Sequence, residues 1–136
     1  MVHVLLPVDG STPSTHAVRT VIALYLRLAP VGVTLVHVRI EDDVPEERIG
    51  ANRRARAASP ADALAEAKAL LAQAGVPYDV EERSGYVAST IVECAKAVNC
   101  DVIVMGTHGM GSTGELLGSV ARQVVSLAEV PVTLVK

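Results

Sequence analysis

Apolar residues fall in short, nearly continuous blocks separated by longer stretches with helical spacing. Val2 to Val8 is such a block, ending at Asp9-Gly10-Ser11, and predicts a buried strand followed by a turn. Ser14 is placed to cap a helix over about Thr15 to Leu28, with Val18, Val21, Ile22, Tyr25 and Leu28 on one face. Val33 to Ile40 is β-branched and apolar, a second strand. Glu41 to Ala58 is charged and without period, which predicts a long surface loop. Ser59-Pro60-Ala61-Asp62 gives a helix start, with a capping hydroxyl, a proline in the first turn and an acid near the positive end. That helix should run to about Ala74 and stop at Gly75. Val76 to Arg83 is a third, more polar strand, expected near an edge. A helix over Tyr86 to Val98, a strand over Asp101 to Met105, a helix over Leu116 to Leu127 and a strand over Val130 to Val135 complete the chain.

The sum is βαβαβαβαβ. Strands joined through helices must run parallel with right-handed crossovers, and the helices then cover both faces. The expected fold class is α/β, an open five-stranded parallel sheet with helices on both faces, in a single domain spanning residues 1–136. Ligands of such sheets sit beyond the carboxyl ends of the strands, where the winding reverses. That rule selects the loops after strands one and four, Asp9-Gly10-Ser11 and Gly106 onward.

Composition narrows the function classes. Half the residues are hydrophobic and a fifth charged, which argues against disorder, and with no Trp or Phe the core must be aliphatic. A formal charge of −3 without a basic stripe gives no nucleic-acid footprint. No apolar run approaches the roughly 18 residues of a membrane span, and no leader precedes the first strand, so a cytoplasmic protein with no membrane partner is expected. Cys94 and Cys100 match no zinc or redox spacing and are read as small buried hydrophobes.

The segment Gly106 to Val120, GTHGMGSTGELLGSV, holds five of the ten glycines. Gly109-Met-Gly111-Ser-Thr-Gly114 fits G-x-G-x-x-G, but a dinucleotide site would place it after the first strand. Glu129 also precedes the last strand, where the ribose-binding acid should end one. The better pattern is Gly106-x-x-Gly109 followed by Gly118-Ser119. There, glycines let backbone N–H groups approach a phosphate and Ser119 stands near the positive end of a helix. The Walker pattern is absent.

These pieces resemble the universal stress protein family, in its nucleotide-binding branch, along the whole chain. The matching residues are Leu6-Pro7-Val8-Asp9-Gly10-Ser11, His37-Val38, Gly85-Tyr86-Val87-Ala88-Ser-Thr-Ile91, Asp101-Val-Ile-Val-Met-Gly106-Thr-His-Gly109, Gly118-Ser119-Val120-Ala121 and Val130-Pro131-Val132. The resemblance implies an adenine nucleotide alpha hydrolase-like sheet of order 3-2-1-4-5. It also implies a bound ATP, AMP or ADP, with Mg2+ or Mn2+ travelling with the phosphates. Asp9 would then stand near the ribose, Pro7, Val8 and Val38 near adenine, and Ser11, Gly106, His108, Gly109, Gly118, Ser119 and Val120 on the phosphate side. A homodimer through strand 130–135 is implied as well. One departure stands out: eight residues, Met110 to Leu117, separate Gly109 from Gly118, where the family pattern has nine.

Several residues carry a second explanation. Asp9 is also a turn-former, Pro7 and Val8 also strand core, Ser119 also a helix cap and His108 also a loop histidine. Ser112 and Thr113 are further phosphate candidates, while His3, His16 and His37 sit in strand or helix contexts. Hydrolysis needs a base or a water-orienting group, and the nearest carboxylate, Glu115, stands at a helix start where a negative charge is favoured anyway. The residues describe a holder of nucleotide, turning it over slowly at most, acting as a stress-response sensor or adaptor. The rival is a structural or interaction protein of the same fold that holds none.

Overall fold

The computed structural model describes residues 1–40, 60–109 and 117–136. The expected loop over Glu41 to Ala58, together with Ser112, Thr113 and Glu115, lies outside the described residues. The strands are β1 (Val2–Pro7), β2 (Val31–Ile40), β3 (Tyr78–Gly85), β4 (Val102–Gly106) and β5 (Val132–Val135). They form one parallel sheet of order β3-β2-β1-β4-β5. The helices are α1 (Thr12–Thr20), α2 (Pro60–Gln73), α3 (Val87–Val98) and α4 (Ser119–Leu127).

Alternation along the strands divides the core into two layers. Val4, Leu6, Val33, Leu35 and Val104 face α1 and α2, where they meet Val18, Leu64 and Leu71. Leu5, Val36, Ile103 and Met105 face α3 and α4, meeting Ile91, Ala95, Ala121 and Val124. β1 and β4 therefore present apolar side chains both ways, which is why their sequences read as unbroken apolar runs. Each fully buried Leu or Val contributes about 1.5–3 kcal/mol by leaving water. β3 lies at one edge, as its polar sequence predicts, and β5 at the other. A half-buried polar pair joins β1 to β2: His3 Nε2 and Thr34 Oγ1 lie 2.7 Å apart.

Two expectations about the first helix need correction. Its cap is Ser11, whose Oγ accepts from the Ser14 backbone N–H at 3.3 Å, while the Ser14 hydroxyl accepts from Asp9 N–H at 3.3 Å. Pro13, which favours the first turn, was the available signal that the helix begins before Ser14. The helix also does not run evenly to Leu28. A π-helical turn (Val21–Tyr25) comes after α1, then a last short turn (Leu26–Leu28). The wider turn inserts a residue and rotates the end of the helix, so Val21 is buried but Leu28 is 81% exposed.

Candidate functional site

β1 is the centre from which the winding reverses, with β2 on one side and β4 on the other. At their carboxyl ends stand the loops after β1 and β4, and the crevice where sheets of this kind take ligands falls between them. Val8 N–H donates to Val36 O at 2.9 Å, prolonging the β1–β2 pairing, and Gly10 (φ 81°) then turns the chain into α1 in a conformation that favours glycine. Asp9 is fixed by this turn. Its Oδ1 accepts from Ser11 N–H at 2.9 Å and its own N–H is held by Ser14. Its second oxygen, Oδ2, reaches across to the other loop, where a Cβ on Gly109 would lie 2.7 Å from it. The chain's two candidate loops thus touch through one carboxylate and one glycine.

The loop after β4 is pinned at both ends. Thr107 N–H donates to Val135 O at 2.8 Å, and Gly118 N–H donates to Thr107 O at 2.7 Å, which closes the base of the glycine segment. Thr107 Oγ1 and His108 Nδ1 lie 2.9 Å apart. α4 starts at Ser119 with Gly118 as its cap, a residue with no side chain to offer. The first N–H groups of a helix have no intrahelical acceptor, and its start carries the positive end of the dipole.

The remaining residues are placed unevenly. Pro7 and Val8 are buried, Val8 in the core layer that α1 and α2 cover. Val38 is half-buried on the opposite face, against the α3 side. Val120 packs on that same layer, and Ser119 is exposed. Ser11 is spent as the cap of α1. Gly106 has a packing cause that spacing did not disclose: a Cβ there would lie 2.6 Å from Pro13 Cβ and 2.8 Å from its carbonyl carbon. Gly118 is buried and its N–H is already taken, so its contribution is to start α4. His37 lies beside Glu82 across the β2–β3 pairing. Burial lowers its pKa below 6.5, against the opposing fields of Glu82 and Asp9.

Among the described residues, no three His, Cys, Asp or Glu side chains gather as a metal site, and no helix is long and apolar enough to cross a membrane. An open hollow of about 440 Å3 lies away from the crevice, between α1 and the end of β5, lined by His16, Arg19, Leu24 and Val135 among others.

Comparison with known proteins agrees with this geometry. A universal stress protein from Synechocystis is 32% identical over 133 residues, covering 97% of this chain and 83% of the relative. One from Thermus aquaticus is 35% identical, covering 98% of this chain and 97% of the relative. Among solved structures, the hypothetical protein MJ0577 superposes with a TM-score of 0.78 at 25% identity, over 99% of this chain and 95% of that one. A universal stress protein from Archaeoglobus fulgidus in complex with dAMP gives 0.69 at 24% identity, over 100% and 98%. One in complex with cAMP gives 0.70 at 24%, over 99% and 97%. The model of the Universal stress protein family matches residues 1–136. With the sheet order, the switch-point turn and the pinned glycine loop all in place, this chain belongs to the universal stress protein family.

Proposed function

We propose that this chain holds an adenine nucleotide, ATP first and AMP or ADP as alternatives, in the crevice between the β1 and β4 loops, and serves as a cytoplasmic stress-response sensor or adaptor. The observation that carries this is the meeting of Asp9 and Gly109: an acid able to accept from ribose hydroxyls stands against a residue without a side chain, and the chain then enters α4 through Gly118, so that the first N–H groups of that helix follow a glycine cap. Phosphate oxygens satisfy such N–H groups, and the helix dipole favours their charge. Relatives of the same fold in complex with dAMP and cAMP support adenine as the base. Mg2+ or Mn2+, if it enters, comes bound to the phosphates. Asp9 has the ribose as its expected partner, so no carboxylate is assigned to activating water, and the role is holding rather than fast turnover.

The same proposal includes a homodimer through β5. Among the described residues no strand pairs with its outer edge, and exposed Leu24 lines a hollow together with Val135 at the end of that strand. Open edges of this kind invite a second strand.

Denaturing the purified protein and identifying what it releases tests the nucleotide role directly. Released ATP, ADP or AMP agrees with it. An empty protein whose melting temperature ignores added ATP and AMP favours a structural or interaction role.

A further inference from the structure

Aromatic residues are scarce, with three Tyr and no Trp or Phe, and two of the three have evident packing roles. Tyr25 OH lies 2.7 Å from Thr133 Oγ1, and Tyr78 packs against the α1–α2 layer. Tyr86 does neither: it is 85% exposed. Its backbone is nonetheless held firmly, because Tyr86 O accepts from Thr90 N–H at 3.0 Å and from Ser89 Oγ at 3.3 Å. Gly85, where a Cβ would lie 3.0 Å from Thr90 Oγ1, lets α3 begin tight against the end of β3.

The register places this exposed ring. Val38 pairs with Arg83 and Ile40 with Gly85, so Tyr86 comes directly after the level of Ile40. It stands about 10 Å along the strand direction beyond the level of Val38 and one strand over. Ile40 is itself 54% exposed, and Val38 and Val87 pack on the same α3-side layer. The carboxyl ends of β2 and β3 thus carry an apolar ledge at the opposite margin of the crevice from the α4 N-terminus. With strands about 4.8 Å apart, β2 and β4 are about 10 Å apart across β1.

We infer that Tyr86 is a base-stacking residue of the crevice, its ring covering the purine of a nucleotide whose phosphates reach the start of α4; the inference rests on the nucleotide-holding role proposed above. A purine offers a flat π face that an exposed aromatic ring takes out of water, and such stacking depends little on which base is present. The ring then discriminates between ligands with and without a base, whereas the glycine loop and helix start discriminate by phosphate.

The test compares AMP, ATP and inorganic tripolyphosphate by calorimetric titration of the full chain and its Tyr86→Ala and Tyr86→Phe variants. Tyr86→Ala should weaken AMP and ATP by about tenfold while leaving tripolyphosphate unchanged, and Tyr86→Phe should stay within about twofold of the parent. Equal AMP affinity in the parent and Tyr86→Ala overturns the stacking role and leaves the nucleotide-holding role standing. An equal loss for all three ligands overturns it too, by showing a structural effect. A parent chain that binds none of the three overturns both.

Discussion

Gly106 and Gly109 look equivalent as letters, yet their surroundings separate them. A side chain at Gly106 meets the ring and backbone of Pro13, which the first turn of α1 holds in place. Gly106→Ala should therefore cost about 1–3 kcal/mol of stability, read as a lower urea midpoint. A side chain at Gly109 meets Oδ2, the far end of the Asp9 side chain, rather than backbone. Gly109→Val should leave the unfolding transition nearly unchanged and remove nucleotide binding by filling the phosphate space and displacing Asp9. His37 supplies a pH test. Because burial lowers its folded pKa, the unfolded chain binds more protons just below pH 6.5. The stability this gives is fully present above about pH 6.5 and is lost as pH falls from there through the lowered folded value. Urea midpoints between about pH 7 and pH 5 should fall more steeply in the parent than in His37→Gln. Cys94 and Cys100 are both buried, and burial raises both thiols, so iodoacetamide should modify them only on unfolding. At this scale the sequence was half legible. Asp9-Gly10-Ser11 announced a turn, but that Asp9 crosses to Gly109, 100 positions on, is a tertiary fact that no local pattern carries.

Elements were read well where one periodicity dominates and less well where it changes within a segment. α3, with Ile91, Val92 and Ala95 buried, matched its expected span almost residue for residue. The first helix did not, because the π-helical turn breaks the spacing that put Leu28 on the buried face. Pro131 shows a subtler limit. A proline has no N–H, and facing outward it would remove a donor from the open edge of β5. However, Pro131 O accepts from Ile103 N–H and Val135 O from Thr107 N–H, so residues 131, 133 and 135 address β4. Val132 and Leu134 address the open edge instead, since the groups of successive strand residues alternate sides. The edge keeps its donors, and proline blunts nothing there. Val132→Pro removes one outward donor without touching the β4 ladder. Light scattering should show a dimer for the parent and a monomer for Val132→Pro with a retained unfolding transition; a variant that stays dimeric would place the interface elsewhere.

For the molecule as a whole, the order of elements carried most of the information. Alternating strands and helices forced a parallel sheet, and the observed order β3-β2-β1-β4-β5 puts the reversal at β1. That reversal selects the carboxyl ends of β1 and β4 as the ligand-facing side on topology alone. Its chemistry was less legible, because Gly106 and Gly118 serve packing and helix initiation while it is Gly109 that stands against Asp9. The central claim is that small residues after β4 and the start of α4 grip the phosphates of a nucleotide whose sugar faces Asp9. Calorimetric titration of the nucleotide-free chain with ATP, beside Gly109→Val, tests it most directly. One site per chain in the parent and none in the folded variant is the predicted result; equal affinity in both, or no heat from either, contradicts it.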